Sequence, residues 1–483
     1  MSGKSSLLIA GLTMLGSVSV MAVERPNIVF ILTDDQATWS MTNSNEIAGP
    51  LTPHMDQLAK ESLQFTRCYT NSPVCSPSRA SLITGKYPTE VGVTEYISRD
   101  NGLNADELTW VSVLKDAGYR TALVGKWHLG DLEKHHPTHF GYDQFYGFQG
   151  GGNTAKDPRL EVDGKVQKVK GYTVELLTNK AIEYLEEFKS HSAAPFVLSL
   201  HYRAPHGPFT PVDETSHELH ADKKHPLPEY PGLKQVIRKG KMTDLIRQYH
   251  ELVTHLDTNI GRVLRKLDEL ELKENTVVVF TSDNGYNIGH HGIWGKGNGD
   301  WLSDLPRSVL HPNLKFVEYA KLPNMWKTSA RVPLYVRWPG HVKAGVTNDK
   351  LVEFIDFFPT ICEMAKVDVP KDVTLLGKNF LEEAKETDAV CMQHDVQNRY
   401  VMRGVVTDKW SYGFCLSHQF GYLYDLTKDP DEKHNLFMSE GYEEVKREMD
   451  ELLKTRMMQI NDPAYGDGEY PVLNARKKLP EFE

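Results

Sequence analysis

The chain is predicted to be an α/β protein, with a large mixed, mostly parallel sheet flanked by helices and a smaller C-terminal subdomain of antiparallel sheet plus helix. Three observations predict this. Short, continuous apolar and β-branched runs recur along the first three-quarters of the chain. Longer segments with helical spacing lie between them. After about Asp388 the texture changes to short alternating runs.

The runs come first. Asn27–Leu32, Tyr119–Val124, Pro195–Leu200, Thr276–Thr281 and Val332–Trp338 are each apolar with little alternation. Such runs suit strands covered on both faces, as in a parallel sheet. His54–Ser62, Thr109–Ala117, Thr173–Phe188 and Lys241–Leu270 carry the helical spacing and supply the crossovers. In the C-terminal part, Tyr400–Val406, Trp410–Gly413 and Gly421–Asp425 read as antiparallel strands, and Glu440–Met458 reads as a helix. Gln459–Glu483 has little periodicity and reads as a wrapping tail. Gly207–Gly240 and Gly297–Asn324 are long polar stretches and read as insertions at the site end of the scaffold.

Bulk numbers narrow the class. At 483 residues and 40% hydrophobic content, the chain is long enough for one large core and a second, smaller unit. A net charge of −10 argues against nucleic-acid binding, and it means that an anionic substrate needs a locally basic pocket. Lys4 followed by the apolar stretch Leu7–Val20 and the small residue Ala22 reads as a cleaved export signal, residues 1–22. No later run is long and apolar enough to span a bilayer. The expected product is a protein exported to the periplasm or secreted, with no membrane and no nucleic-acid partner. Cys68, Cys75, Cys362, Cys391 and Cys415 are odd in number in a long chain and form no disulfide scaffold; Cys75 apart, each reads as a buried thiol at least as well as a disulfide partner, which export permits but the sequence does not pair.

The residues just beyond each run carry the chemistry. The first run leads to Asp34-Asp35, the second to Lys126-Trp127-His128, the third to Ala204-Pro205-His206 and the fourth to Asp283-Asn284-Gly285. Ligands of open α/β sheets bind at the carboxyl ends of strands, so these groups are expected to converge. Asp34, Asp35, Asp283 and Asn284 offer only oxygen, which suits calcium or magnesium better than zinc. Lys126 and His128 are placed to bind an anion or move protons. Gly295-Lys296-Gly297 is a weaker signal, and the roles of His290 and His291 stay open.

The segment Cys75-Ser76-Pro77-Ser78-Arg79-Ala80-Ser81-Leu82-Ile83-Thr84-Gly85 is the most demanding pattern in the chain. It resembles the motif of type I, formylglycine-dependent sulfatases of the alkaline phosphatase superfamily. The resemblance continues through Gly125–Gly130, Tyr142–Gly147, Ala204-Pro205-His206, Ser282–Gly285, Arg331-Val332-Pro333 and Leu423–Leu426, from Arg25 to Leu436. It implies an alkaline-phosphatase-like fold with a catalytic domain at 23–387 and a C-terminal subdomain at 388–483. It also implies that a formylglycine-generating or anaerobic sulfatase-maturating enzyme oxidises Cys75 to formylglycine, and that the hydrated aldehyde attacks the sulfate ester and carries a covalent sulfate. One calcium would sit among Asp34, Asp35, Asp283, Asn284 and residue 75. Arg79 would stabilise the nucleophile, Lys126 would bridge it to sulfate, His128 would act as base and His206 as acid. Lys296 would bind sulfate, with Lys321 or Lys327 as competitors. Ser76 and Ser78 would serve the modifying enzyme and local packing. The expected substrate is a sulfated carbohydrate. A phosphonate or phosphate ester hydrolase, or a catalytically silent glycan-binding protein, are the alternatives.

Overall fold

A computed structural model describes residues 25–44, 49–97, 101–191, 194–230, 239–301, 321–382, 387–396, 400–417 and 420–465. The predicted export segment, the end of the tail and parts of both insertions, including Lys234, Arg238, Arg307 and His311, lie outside the described residues. Nor are the side chains of Lys239, Trp301 and Lys321 described.

A ten-stranded sheet organises the chain. In chain order its strands are β1 (Asn27–Asp34), β2 (Leu63–Tyr69), β3 (Arg120–Lys126), β4 (Gln144–Phe148), β5 (Arg159–Val162), β6 (Lys165–Lys168), β7 (Phe196–Pro205) and β8 (Thr276–Ser282). A small four-stranded sheet comes next in the chain: β9 (Asn287–Ile288), β10 (Ile293–Gly295), β11 (Asn298–Trp301) and β12 (Lys321–Pro323). Strands β13 (Arg331–Arg337) and β14 (Val346–Glu353) then complete the large sheet, in the order β14-β2-β13-β8-β1-β7-β3-β4-β5-β6. Strands β8, β1, β7, β3 and β4 are mutually parallel, whereas β13 runs antiparallel to both of its neighbours.

The apolar runs are continuous because both faces of the sheet are covered. Along β1, Val29 and Ile31 join one apolar cluster, while Ile28, Phe30 and Leu32 join the other. The first face receives α1 (Pro53–Lys60), α4 (Thr173–His191) and α6 (Lys239–Glu269), with the short α5 (Glu214–Ala221) against α6. On α6, Met242, Ile246, Tyr249, Val253, Leu256, Ile260, Val263 and Leu267 are all buried at alternating spacings of four and three, which gives one helical stripe. Burying one such side chain contributes about 1.5–3 kcal/mol. Asp257 on the same helix accepts the His54 and Met55 N–H groups (3.1 and 2.7 Å), satisfying the first turn of α1. The opposite face receives α2 (Cys75–Thr84), α3 (Trp110–Asp116) and the helix Phe357–Met364.

The C-terminal subdomain is an antiparallel meander of β15 (Val390–Val396), β16 (Tyr400–Val406), β17 (Trp410–Cys415) and β18 (Phe420–Asp425). The helix Glu443–Gln459 lays Met449, Leu453 and Met457 on it. A buried Arg403 on β16 donates to both oxygens of buried Asp462 (2.6 and 3.1 Å) and to Asp395 (2.8 Å), tying the end of that helix to the sheet. His394 on β15 reaches the other way and donates its Nε2–H to the Gly297 carbonyl (2.9 Å). All five cysteines are buried, and none is joined in a disulfide. Among the described residues no helix is long and apolar enough to cross a membrane.

Removing Arg403 strands a buried carboxylate. Arg403→Leu is expected to lower stability by about 3–5 kcal/mol in denaturant unfolding. A change below about 1 kcal/mol contradicts the pairing. His394 titrates in a second test. Burial pushes its pKa down to about 4, so the folded state holds the neutral ring. The unfolded chain binds the extra proton below its usual 6.5. This contribution is therefore complete above pH 6.5 and is lost as pH falls toward 4, by about 1.4 kcal/mol per pH unit. His394→Gln should flatten that part of the stability–pH curve.

Candidate active site

The site assembles at the carboxyl ends of the central parallel strands. Asp34 is the last residue of β1, and Asp35 turns away with φ +66°. Lys126 ends β3, and His128 lies two residues on with φ +60°. His206 directly follows β7, and Asp283-Asn284 follow β8. Left-handed backbone at two non-glycine residues of one small region marks a place where the surroundings over-determine the geometry. Part of that restraint is visible, because the Tyr249 hydroxyl on α6 donates to the Asp35 carbonyl (2.7 Å). Gly125 has a role of its own in β3. At φ +117° it comes so close to β7 that a Cβ would lie 1.9 Å from the His201 carbonyl oxygen.

Cys75 is the first residue of α2 and is buried. The helix N-terminus offers partial positive charge to an oxyanion formed there. Four residues along, Arg79 donates Nε–H to Asp283 Oδ2 (2.8 Å) and Nη1–H to the Lys126 carbonyl (2.8 Å). Ser78 donates its hydroxyl to the Asp283 carbonyl, and Ser76 accepts the Ile97 N–H, so both serines fix the helix locally.

Six charges interlock, five of them buried and Lys296 nearly so. Lys126 Nζ donates to Asp34 Oδ2 (2.6 Å), and both side chains are fully buried. Lys296 Nζ donates to Asp35 Oδ1 and lies 3.3 Å from Asn284 Oδ1 and 3.5 Å from Cys75 Sγ. Asn284 Nδ2 donates to Asp35 Oδ1 (2.6 Å), and Asp283 Oδ1 accepts the Asp35 N–H (3.2 Å). Burial pushes the Asp34 carboxyl upward, but Lys126, His206 and Lys296 outweigh it and hold it below its usual range. Burial opposes the charge on Lys296, yet Asp35 and the neighbouring acids hold its pKa well above the usual value. His128 is different. Burial, then Lys126, Arg79 and Lys296, push it well below 6.5, so its ring is neutral. Among the described residues its Nδ1 has no hydrogen-bond partner.

Two predicted positions resolve here. Lys327 is engaged elsewhere, on Asp431 (2.7 Å), so of the two described lysine side chains it is Lys296 that enters the cluster. The tip carrying Lys296 is clamped on three sides: Gly297 N–H donates to the Pro73 carbonyl (3.1 Å), Asn324 Nδ2 to the Lys296 carbonyl (2.9 Å), and His394 to Gly297. His290 and His291 are buried, the first tilted against Trp39 and the second stacked on Trp326. His206 sits at the rim, 27% exposed, with Nδ1–H donated to the Gly207 carbonyl (2.7 Å) and Nε2 3.9 Å from Asp35 Oδ2.

Sequence reasoning missed Gly151. A Cβ there would lie 2.4 Å from His128 Nε2, so the absent side chain makes room for that ring. The run Gly150-Gly151-Gly152 was visible, but nothing in the sequence placed it beside His128.

A divalent cation fits these residues. Asp34 Oδ1 is buried with no hydrogen-bond partner among the described residues. Ligand atoms of Asp34, Asp35 and His206 lie within 4.8 Å of one another. The Lys296 ammonium already lies among Asp35, Asn284 and Cys75, so this ring of acceptors faces positive charge. Asp34, Asp35, Asp283 and Asn284 together form a hard, oxygen-rich set suited to calcium.

Comparison with known proteins gives the family. The family profile described as Sulfatase matches residues 26–367, and that of the N-sulphoglucosamine sulphohydrolase C-terminal region matches residues 319–459. The chain is 27% identical to an N-acetylglucosamine-6-O-sulfatase of Bacteroides thetaiotaomicron, over 95% of this chain and 91% of that one. It is 28% identical to an ulvan-active sulfatase of Formosa agariphila, over 91% and 82% of the two chains. A solved structure bound to its substrate D-glucosamine-2-N,6-O-disulfate superposes with a TM-score of 0.75 at 26% identity, covering 92% of this chain and all of that one. With a family profile spanning well over half of its length, the chain belongs to the type I sulfatase family, hydrolases of sulfate esters within the alkaline phosphatase-like superfamily.

Proposed function

We propose that this protein removes a sulfate ester from a sulfated carbohydrate, using Cys75 oxidised to formylglycine as nucleophile and a calcium ion held by Asp34, Asp35, Asp283, Asn284 and residue 75. The observation that carries the reading is the Lys296 ammonium, nearly buried, which meets Cys75, the Asp35 carboxylate and the Asn284 amide oxygen together. The carbohydrate part rests on relatives whose names specify sulfated amino sugars and ulvan, and on the neighbour bound to a disulfated glucosamine. The export-like residues 1–22 support action outside the cytoplasm, on material a cell scavenges.

The metal, when bound, supplies positive charge that polarises the sulfate and favours the ionised nucleophile. The hydrated aldehyde supplies two hydroxyls on one carbon, so sulfate can later leave by carbon–oxygen cleavage without water attacking sulfur. The chain's own residues do the rest. Lys126 and Lys296 bind sulfate oxygens from two sides, and Arg79 steadies the nucleophilic oxygen at the start of α2. His128, neutral and with a free Nδ1, takes the proton from the second hydroxyl. In its doubly protonated form His206 donates Nδ1–H to the Gly207 carbonyl and keeps Nε2–H for the departing alkoxide oxygen.

Matured protein should release free sulfate from a panel of sulfated sugars, and turn over aryl sulfates faster than aryl phosphate diesters. A strong phosphoryl preference would favour an ester hydrolase of the other kind, and no release at all would contradict enzymatic function. Cys75→Ala should abolish turnover, and full activity in that variant is incompatible with the proposal. Calcium should raise the melting temperature of chelator-treated protein, and Asp35→Asn should remove most of that rise. Gly151→Ala should displace His128 and lower kcat by about tenfold or more with the fold intact.

A further inference from the structure

The loop that carries His206 is held by a buried cation to which the proposed mechanism gives no part. Arg203 lies in β7, three residues before His206, and is 1% exposed. Among the described residues it forms no ion pair with any carboxylate within 4 Å. Its Nη1–H donates instead to the His206 carbonyl (2.6 Å) and its Nη2–H to the Pro208 carbonyl (3.1 Å). In return the His206 N–H donates to the Arg203 carbonyl (2.9 Å). The turn is thus pinned on both sides of Gly207, whose own carbonyl accepts the imidazole Nδ1–H. With Nδ1 fixed, the opposite nitrogen, Nε2, faces the acidic cluster, 3.9 Å from Asp35 Oδ2.

A buried guanidinium without a carboxylate partner is costly, and a neutral amide side chain could satisfy one of these carbonyls at lower cost. The rigid fork of Arg reaches two carbonyls at once, which a Lys ammonium on a flexible stem does not reproduce. The Arg203 charge also lies near enough to Asp34 and Asp35 to be felt by both.

We propose that Arg203 is a positioning residue for leaving-group protonation: by clamping the carbonyls of His206 and Pro208 it aims Nε2 of His206 at the departing sugar oxygen. This rests on the reading of His206 as the acid. The reacting form is the imidazolium: its Nε2 proton passes to the alkoxide oxygen as that oxygen's bond to sulfur breaks, the neutral ring keeps Nδ1–H on Gly207, and Nε2 is reprotonated from solvent at the exposed rim. Arg203 itself neither gains nor loses a proton.

Leaving-group chemistry separates this role from mere structural support. An alkoxide leaving from a sugar needs the proton, whereas 4-nitrophenolate leaves without one. In matured enzyme, kcat and KM are measured on a sulfated sugar and on 4-nitrophenyl sulfate for the wild type, His206→Ala, Arg203→Met and Arg203→Lys. Arg203→Met should lose about tenfold or more in kcat on the sugar sulfate, and several-fold less on the aryl sulfate. Arg203→Lys should recover part of the sugar activity. Combining Arg203→Met with His206→Ala should cost no more than His206→Ala alone. Equal losses on both substrates in Arg203→Met and Arg203→Lys, or no loss on either, would overturn the proposal. If His206→Ala is selective against the sugar sulfate but neither Arg203 variant is, only the positioning role falls. If His206→Ala itself shows no selectivity, the acid assignment falls first.

Discussion

Three carboxylates and three cations are buried together at the ends of the central strands, and neither set is stable there alone. Asp34, Asp35 and Asp283 are almost wholly removed from water, as are Lys126 and Arg79, and Lys296 is nearly so. Moving any one of these ions from water into the interior costs several kcal/mol unless it is paired and hydrogen-bonded. The arrangement satisfies that condition by alternation: Lys126 meets Asp34, Arg79 meets Asp283, and Lys296 meets Asp35. The large sheet, its helices and the C-terminal subdomain hold these pairs at fixed spacing.

That constraint explains why the subdomain is more than an appendage. Lys296 stands at the tip of the short hairpin between β10 and β11. Pro73, just ahead of Cys75, grips the hairpin from one side, and His394 of β15 grips it from another. Cys75 and the lysine beside it are therefore referenced to the same scaffold. A neutral His128 results from the same charge cluster. Burial and the surrounding cations hold its proton off, and this suits it to accept a proton.

Much of this was legible in the sequence, for physical reasons. A strand covered on both faces must be apolar throughout, so β1, β3, β7 and β8 stood out, and the polar residues at their ends were conspicuous. The long helix α6 announced itself through one stripe from Met242 to Leu267. Other parts were not legible. Strands β2 and β14, near the other edge of the sheet, carry mixed polarity and gave no clean pattern. Strand β13 had the apolar character of its neighbours, but nothing local tells a chain which way it will run. The choice between Lys296 and Lys327 turned on Asp431, about a hundred residues later in sequence and 2.7 Å away in space. Gly151 mattered for the side chain it lacks, which only its neighbour His128 reveals. The roles of the histidines at 290 and 291 stayed open in the sequence, because their ring partners Trp39 and Trp326 are distant along the chain.

If the charge cluster serves an oxidised residue 75, activity must track that oxidation. The decisive quantity is the mass of the peptide containing Cys75, taken across preparations matured to different extents and set against the rate of sulfate release. The rate should rise in proportion to the fraction of peptide carrying the formylglycine mass, and vanish with it. Undiminished sulfate release from protein whose Cys75 is entirely unconverted would refute this role for the cluster.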